Sequence, residues 1–168
     1  METTNQKKGH IILLNGTSSS GKSTMAKEII KELPEYFHLS VDEYAYFIDL
    51  MEARDDKRLI PVETYHYFHR NIAMFSDSGV SVVVDTLFDC EASREDFFDV
   101  LKGYPVLKVG LYCSEEVLAI REQERGDRCI GNAKGQINIV HKNMSYDLSI
   151  DTHQDDKLIN AKKIINLI

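Results

Sequence analysis

Short apolar runs alternate along this chain with longer segments in which apolar residues recur every three or four positions. Short runs bounded by turn residues are typical of buried strands, and the periodic segments are typical of helices that bury one face. The pattern predicts strands at residues 10–15, 37–42, 80–85, 105–113 and 146–151. Strands that alternate with helices in this way predict a doubly wound α/β domain around a five-stranded parallel sheet.

Between these strands, the periodic segments predict helices whose expected ends are set by turn residues. The expected helices cover residues 22–33, 43–52, 61–78, 93–102, 115–128 and 156–168. Pro61 suits the first position of the third helix, and Ser93 is expected to cap the fourth. Residues 129–143 have only weak helical periodicity, because Gly131 and Gly135 interrupt it.

Polar residues end several of the predicted strands, at the edge where parallel sheets bind ligands. The residues at these carboxyl ends are Asn15, Asp42, Asp85, Cys113 and Asp151. In open α/β sheets, ligands bind in the crevice outside the carboxyl ends of the strands. Three carboxylates at one edge therefore predict a polar binding site there.

Composition narrows the classes of partner that this protein can bind. The 168 residues are 43% hydrophobic and 28% charged, as in one ordinary globular domain, and we take residues 1–168 as that domain. The net charge of -7 argues against a broad surface for nucleic acid or anionic membranes, but it allows a local phosphate pocket. The sequence leaves the oligomeric state open.

The cysteines and apolar runs bear on cellular location. Cys90, Cys113 and Cys129 lie far apart without the spacing of metal ligands, which favours reduced thiols. The N-terminal stretch METTNQKKGH lacks an apolar signal core, and no apolar run reaches membrane-spanning length. These features predict a cytoplasmic protein with no membrane partner.

The stretch NGTSSSGKST separates the first predicted strand from the first helix. It fits the pattern G-x-x-x-x-G-K-[ST], in which glycines allow backbone N–H groups to turn inward around a polyphosphate. Lys22 is predicted to reach the β and γ phosphates, Ser23 is predicted to join the Mg²⁺ shell, and the helix adds its positive dipole end. The predicted nucleotide-binding residues here are Gly16, Thr17, Ser18, Ser19, Ser20, Gly21, Lys22, Ser23 and Thr24.

Other motifs narrow the class of nucleotide-binding protein. A GTPase switch carries a D-x-x-G element and an N-K-x-D base-reading motif, and neither occurs in this sequence. The chain is also short for a motor or an oligomeric remodelling ATPase. A small phosphoryl-transfer enzyme that uses ATP fits the sequence better.

Two carboxylates are candidates for the chemistry of transfer. Asp42 is a candidate base for the proton of an acceptor hydroxyl, and its strand is expected near the phosphate-binding strand. The alternative is that Asp42 caps the following helix. Asp85 ends a continuous apolar strand and is a candidate to hold Mg²⁺ with Ser23. The alternatives are that Asp85 contacts substrate or caps a turn.

Three of the seven arginines cluster near one predicted helix end. Arg121 and Arg125 are one turn apart on the same face, and Gly126 lets the chain turn so that Arg128 can converge with them. Arginines neutralise charge that develops on a transferred phosphoryl group, and they can stack on adenine. The alternative is a solvated helix end on which these arginines pair with neighbouring acidic residues.

His66 and His69 lie one turn apart and could ligate a metal. Their helix is rich in aromatic residues, and no carboxylate lies near them in the sequence. We therefore interpret both histidines as packing residues.

Five segments of the chain resemble, in order, those of the chloramphenicol 3-O-phosphotransferase family. They are IILLNGTSSSGKST, LSVDEYAYF, VVVDTLF, REQERGDR and VHKNMSYDLSIDT, and they cover nearly the whole chain. The resemblance implies a three-layer P-loop NTPase of the nucleotide-kinase-like type, with an arginine-bearing lid at about residues 121–143. It also implies transfer of the ATP γ-phosphate to a hydroxyl of a small molecule.

The resemblance assigns roles by position. It implies that Asp42 is the catalytic base, that Lys22 and Ser23 hold the phosphates and Mg²⁺, and that Arg125 and Arg128 belong to the lid. His141 and the Tyr146-Asp147 pair match motif positions without an assigned role. Two departures stand out: the third strand ends in Asp85-Thr86 instead of two aspartates, and residues 43–70 match poorly and are highly charged.

Together these features predict an ATP- and Mg²⁺-dependent O-phosphotransferase. Lys22 and the loop amides are expected to orient the γ-phosphate, with Arg121 on the nucleotide, while Asp42 accepts the proton and Arg125 with Arg128 offsets negative charge. One alternative is a nucleoside, nucleotide or other metabolite kinase with the same core. A further alternative is a nucleotide-binding switch without acceptor chemistry.

Overall fold

The computed structural model describes residues 7–53, 60–125 and 131–168, with the backbone alone described for Arg125. The strands are β1 (Ile11–Asn15), β2 (Tyr36–Ser40), β3 (Ser81–Thr86), β4 (Val106–Tyr112) and β5 (Leu148–Asp151). The helices in the described ranges are α1 (Lys22–Glu32), α2 (Val41–Glu52), α3 (Thr64–Asp77), α4 (Glu91–Val100), α5 (Glu115–Arg125), α6 (Asn132–Val140) and α7 (Lys157–Ile165). Within those ranges, no helix has the length and apolar content needed to cross a bilayer.

The five strands form one parallel sheet in the order β2-β3-β1-β4-β5. Strand β1 lies at the centre and is buried along its whole length, as expected for an apolar strand with helices on both faces of its sheet. The structure therefore confirms the predicted α/β fold with a five-stranded parallel sheet.

Alternate residues of β1 face two separate apolar cores, because successive side chains of a strand point to opposite faces. Ile12 and Leu14 pack in the core that includes residues of α1 and α7. Ile11 and Leu13 pack in the core that includes residues of α3 and α4. These two cores give the molecule three layers, as predicted.

Strand β2 was predicted to lie near the phosphate-binding strand β1, and it lies two positions from β1, with β3 between them. The residues Val82, Val83 and Val84 of β3 are fully buried, whereas Phe37 of the edge strand β2 is 57% exposed. The continuous β-branched run of β3 thus occupies the interior position that its composition favours.

Several element boundaries differ from the sequence-based expectation, and three of them involve residues that the sequence singled out. Strand β2 ends at Ser40, so Asp42 lies in the first turn of α2 and not at a strand end. Helix α3 begins at Thr64, three residues after Pro61. Helix α4 is capped by Cys90, whose sulfur accepts from Ser93 N–H at 3.5 Å, so Ser93 lies inside the helix.

The segment with weak helical periodicity contains a helix. Residues Asn132–Val140 form α6, with Gly131 at its N-cap and Gly135 inside it. A side chain at Gly135 would meet nothing within 4 Å, so this glycine lies in open space and does not stop the helix. Part of the predicted lid, residues 126–130, lies outside the described residues, and Arg128 with it.

Candidate active site

The phosphate loop connects the end of β1 to the start of α1. A Cβ atom at Gly16 would lie 2.6 Å from the carbonyl oxygen of Leu111, so only glycine fits this close approach to β4. Gly21 has a φ of +96°, and Ser19 has a φ of +60°, which is uncommon for a residue with a side chain. Left-handed backbone at a non-glycine residue is characteristic of functional loops that their surroundings hold in place.

The first turn of α1 is suited to an anion. Gly21 caps the helix without a side-chain hydrogen bond, and the first turn contains no acidic residue. The positive end of the helix dipole therefore meets no negative side chain from its own first turn. Lys22 lies at the same point, and its Nζ donates to the carbonyl oxygen of Thr17 at 2.8 Å.

Ser23 and Asp85 meet directly beside the phosphate loop. The Ser23 hydroxyl donates to Asp85 Oδ2 at 2.5 Å. Burial alone would raise the pKa of the Asp85 carboxyl, but His38, Lys22 and Ser23 together bring this pKa below its ordinary value. The structure thus pairs an ionised carboxylate with a hydroxyl oxygen, which are the oxygen ligands that Mg²⁺ prefers. Within the described ranges, no group of three or more His, Cys, Asp and Glu residues is arranged to hold a metal.

His38 is a residue of this site that the sequence did not reveal. It lies on β2, and its Nε2 atom is 3.6 Å from Asp85 Oδ2. This nitrogen is buried and has no hydrogen-bond partner among the described residues. His38 is placed to support the carboxylate of Asp85 from behind the cleft, in the way that neighbouring groups orient metal-binding carboxylates.

The first turn of α2 brings Asp42 to the same cleft as Lys22 and Asp85. The helix is capped by Ser40, so the alternative that Asp42 is the capping residue is wrong. The Asp42 side chain is exposed, as expected for a group that must meet an incoming molecule. The structure thus gives Asp42 the location, although not the strand position, that the sequence predicted.

Arg121 joins the phosphate loop to the loop after β5. Its Nη1 atom donates to the carbonyl oxygen of Ser19 at 3.2 Å and to Thr152 Oγ1 at 3.0 Å. Its Nη2 atom donates to the carbonyl oxygen of Thr152 at 3.1 Å. Arg121 therefore lies against the phosphate loop, and its contact with a nucleotide stays a prediction. The Arg125 side chain and all of Arg128 lie outside the described residues, so their roles stay predictions.

A single cleft of about 500 Å³ runs along the carboxyl edge of the sheet. It extends from Asp42, which follows edge strand β2, past the phosphate loop to Thr152, which follows the opposite edge strand β5. Thr17 and Ser20 are buried beneath the loop. The predicted site residues that line the cleft are Ser18, Ser19, Gly21, Lys22, Ser23, Thr24, Asp42, Asp85 and Arg121.

A buried polar network lies under the start of the phosphate loop. Asn15 Nδ2 donates to the carbonyl oxygen of Val140 at 2.9 Å and to the hydroxyl of Tyr146 at 2.7 Å. The Tyr146 hydroxyl lies 2.8 Å from Nδ1 of His141, whose ring stacks on Tyr112 with centroids 4.0 Å apart. Because Asn15 can only donate here, the phenol hydrogen is left for His141 Nδ1.

Burial governs the titration of this network. It lowers the pKa of His141 and raises the pKa of Tyr146 well above its ordinary value. Both groups are therefore neutral at physiological pH, and the network is an uncharged one. The sequence marked His141 and Tyr146 as motif positions, and the structure shows that they support Asn15, the residue directly before the loop.

The two histidines of α3 have a carboxylate partner, contrary to the sequence-based expectation. Asp96 of α4 lies 2.9 Å from His66 Nδ1 and 2.7 Å from His69 Nδ1, and it accepts from Arg70 at 3.1 Å. Burial tends to raise the pKa of Asp96, but its hydrogen bonds to His69, Arg70 and His66 hold it below the ordinary value. We call these four residues the Asp96 cluster. It ties α3 to α4.

Comparison with known proteins identifies the family and supports the fold. A family model described as "Chloramphenicol phosphotransferase-like protein" matches residues 9–168. A Mycobacterium tuberculosis protein, named "Putative O-phosphotransferase" in two strains, is 28% identical over an alignment of 169 positions, which covers 86% of this chain and 75% of that protein.

Solved structures with the same fold are P-loop kinases and a resistance protein. The APS kinase of Mycobacterium tuberculosis in complex with AMPPNP and APS has a TM-score of 0.75 at 17% identity, over 95% of this chain and 97% of that chain. The tunicamycin resistance protein of Deinococcus radiodurans has a TM-score of 0.70 at 18% identity, over 95% of each chain. Shikimate kinase from Acinetobacter baumannii in complex with shikimate has a TM-score of 0.62 at 17% identity, over 96% and 93%. These structures confirm the P-loop kinase fold.

Proposed function

Because the chain belongs to the chloramphenicol phosphotransferase-like protein family, we propose that it is an ATP-dependent O-phosphotransferase acting on a hydroxyl group of a small molecule. One observation carries the proposal: the phosphate loop, the Ser23–Asp85 pair and Asp42 all line a single cleft of about 500 Å³. A phosphoryl-transfer enzyme needs a phosphate cradle, metal ligands and a base around one space, and this cleft combines such residues.

We propose one orientation for ATP in the cleft. Its β and γ phosphates would lie at the amides of the phosphate loop and at Lys22, as the loop pattern implies. Its base would then lie toward Arg121 and Thr152, which are hydrogen-bonded to each other beside the loop. Asn160 and Lys157 also line the cleft. The acceptor would enter at the opposite end, where Asp42 lies.

Ser23 and Asp85 would hold Mg²⁺ in this proposal. The ion, when bound, neutralises charge on the β and γ phosphate oxygens. The pKa of Asp85, held below its ordinary value, keeps its carboxylate ionised for that role. Thr86, which replaces a second aspartate of the family pattern, is buried and pairs with Asn15, so it does not line the cleft.

Asp42 would act as the base. The acceptor oxygen attacks the γ phosphorus, the bond between that phosphorus and the β–γ bridging oxygen breaks, and ADP leaves. The proton of the acceptor hydroxyl passes to the Asp42 carboxylate. We propose that Arg125 and Arg128 offset the negative charge that spreads over the transferred group. The backbone of Arg125 ends α5 four residues after Arg121.

An acceptor screen coupled to ADP release tests this function. The panel includes chloramphenicol, nucleosides, sugars, shikimate and other small alcohols, with ATP and Mg²⁺. We expect at least one compound to stimulate ADP release. Stabilisation of the protein by ATP with no acceptor-dependent ADP release across the panel would instead favour a nucleotide-binding switch.

The Asp42→Asn variant tests the base with any acceptor that the screen finds. It should lower turnover by roughly a hundredfold to ten-thousandfold, because the proton then has no carboxylate to receive it. ATP affinity, measured by calorimetry, should stay within about twofold, because ATP would lie on the loop and not on Asp42. Asp49→Asn, an exposed position on the same helix, is the matched control. Turnover of Asp42→Asn equal to that of the control would exclude Asp42 as the base.

A further inference from the structure

Helix α6 is held at three points along its length, by α5, by the phosphate loop and by Asn15, which directly precedes that loop. At its start, the buried Glu122 accepts from the N–H groups of Gly131 at 2.8 Å and Ala133 at 2.7 Å. At its end, the carbonyl oxygen of Val140 accepts from Asn15 at 2.9 Å. In its middle, Gln136 Oε1 accepts from the backbone N–H of Ser18 at 2.7 Å. Gln136 is therefore a side chain on a fixed helix, directed at the loop.

The bond to Ser18 fixes which way the Gln136 amide points. A backbone N–H can only donate, so the oxygen of the amide must face the loop and the NH₂ group must face away from Ser18. That NH₂ group donates to Asn132 Oδ1 at 3.4 Å, a long contact on the exposed side of α6. Gln136 also lines the cleft. Its donor group is thus held beside the cleft by a weak bond that a better acceptor would replace.

This part of the cleft is where the end of a triphosphate would lie. Ser18 directly follows Thr17, whose carbonyl oxygen accepts from Lys22 Nζ at 2.8 Å. The ammonium group of Lys22 is the group that reaches the β and γ phosphates in loops of this pattern. Ser18 and Gln136 therefore lie near the position of the Lys22 ammonium, and Asn160 and Thr152 mark the base end of the cleft.

We propose that Gln136 recognises the terminal phosphate of the nucleotide, with its oxygen on Ser18 N–H and its NH₂ group donating to a γ-phosphate oxygen. This inference rests on the proposed function, because it needs a nucleoside triphosphate in the cleft. A neutral amide adds a hydrogen bond to an anionic oxygen without adding charge. It distinguishes ATP from ADP because ADP lacks the oxygens that it contacts.

Two substitutions at Gln136 distinguish recognition of the terminal phosphate from a purely structural role, in which Gln136 only links α6 to Ser18. Gln136→Glu keeps an oxygen for Ser18 N–H but loses the NH₂ donor, and Gln136→Met keeps the length of the side chain but loses both groups. Gln123→Glu, an exposed position on α5, makes the same chemical change outside the residues that line the cleft. Calorimetry with Mg²⁺ then compares the affinities for AMPPNP, which has three phosphates, and for ADP.

Both Gln136 variants should lose affinity for AMPPNP by roughly tenfold to a hundredfold, the range for a hydrogen bond to a charged group. Affinity for ADP should fall by much less, and Gln123→Glu should bind both nucleotides as the unaltered protein does. Circular dichroism and thermal unfolding check that each variant is folded.

Several other results would overturn the inference. A loss of AMPPNP affinity in Gln136→Met but not in Gln136→Glu would mean that Gln136 acts only through its bond to Ser18. A loss of AMPPNP affinity in Gln136→Glu alone would mean that the new negative charge repels the phosphates. Equal losses for AMPPNP and ADP, or no loss, would mean that Gln136 does not recognise the terminal phosphate, while the proposed function stands. If the unaltered protein bound neither nucleotide, the proposed function would fall and this inference with it.

Discussion

The two ends of the cleft are built in different ways. The phosphate loop is buried and close to the backbone of β4, and its conformation depends on glycines and on left-handed backbone. The Asp42 end is formed by α2, on which Tyr46 is 65% exposed and Leu50 is 56% exposed. A polyphosphate is recognised largely by backbone amides in a fixed geometry, which requires buried support. The Asp42 end instead presents side chains to solvent, where they can change without cost to the fold.

Each end also rests on a different polar cluster. The phosphate loop lies over Asn15, Tyr146 and His141, which are uncharged. Helix α2 packs against α3, which contributes His66, His69 and Arg70 to the charged Asp96 cluster. The comparison predicts that changes at the phosphate end abolish function, whereas changes at the exposed side chains around Asp42, other than Asp42 itself, alter which acceptor is used.

Removal of the Lys22 ammonium is the most severe test of the phosphate end. Lys22→Ala should lower phosphotransfer by about a thousandfold or more, because preorganised positive charge at the phosphates stabilises the transition state. Lys27→Ala, an exposed lysine of the same helix, should leave activity unchanged. Steady-state ADP release with the acceptor from the screen measures both. Normal turnover of Lys22→Ala would mean that the loop does not hold the reacting phosphate.

Loss of the Tyr146 hydroxyl tests whether the buried network supports the loop. Tyr146→Phe leaves His141 Nδ1 without the hydroxyl that now bonds to it, at a cost of about 1–3 kcal/mol for a buried unpaired group. We expect a lower free energy of unfolding in urea and ATP affinity reduced by roughly tenfold. Tyr104→Phe, which removes an exposed hydroxyl bonded to Asp77, is the matched control. The same ATP affinity in both variants would show that the loop does not depend on this network.

A fall in pH should reduce the stability that two groups of residues contribute: the network under the phosphate loop and the Asp96 cluster. Burial lowers the folded-state pKa of His69 and of His141 below the ordinary value of 6.5. Their contribution to stability is therefore fully present above about pH 6.5, and it is lost as the pH falls through the folded-state pKa values. Asp96, whose pKa is lowered, adds a further loss at more acidic pH. Each kcal/mol lost should lower the melting temperature by about 2–4 °C in a domain of this size.

Thermal unfolding measured between about pH 7.5 and about pH 5.5 checks this prediction. His69→Gln should show a smaller fall in melting temperature than the unaltered protein, because one of the two titrating histidines is absent. His153→Gln removes an exposed histidine and should show the full fall. An unchanged fall in His69→Gln would mean that the Asp96 cluster does not titrate in this range.

Truncation at the Asp42 end should have the smallest effect on the fold. Tyr46→Ala should change the free energy of unfolding by less than about 0.5 kcal/mol, because the ring is mostly exposed. The KM for the acceptor should rise several-fold while ATP affinity stays constant. Phe37→Ala, which truncates an exposed aromatic residue on β2, should alter neither the acceptor KM nor the ATP affinity. An unchanged acceptor KM in Tyr46→Ala would place the acceptor away from this face of α2.

The phosphate end could be predicted from the sequence because local chemistry dictates it. Glycines at fixed spacing, followed by a lysine and a serine, are needed for the geometry of one continuous loop, so the motif itself carries the information. The sheet was predictable for a similar reason, because apolar runs of strand length are local patterns.

Residues that meet across the fold left no such local signal. Gln136 and Ser18 are separated by 118 residues, Asn15 and Tyr146 by 131, and no spacing rule links them. The position of β2 at the sheet edge depends on competition among strands for the interior, which the sequence of β2 alone does not express. The carboxylate partner of His69 lies 27 residues away on another helix, so the histidine pair gave no indication of it.

Asn15 also has a consequence for how the protein folds. Its hydrogen bonds reach Phe88, Val140 and Tyr146, which lie 73, 125 and 131 residues further along the chain. Contacts of such long sequence separation are costly in entropy and form slowly. We expect the nucleotide site to be completed only after the segment with Val140 and Tyr146 has docked, although the phosphate loop itself is a short local segment. In a refolding experiment, binding of a fluorescent nucleotide should then appear no earlier than the last spectroscopic phase, and earlier binding would contradict this order.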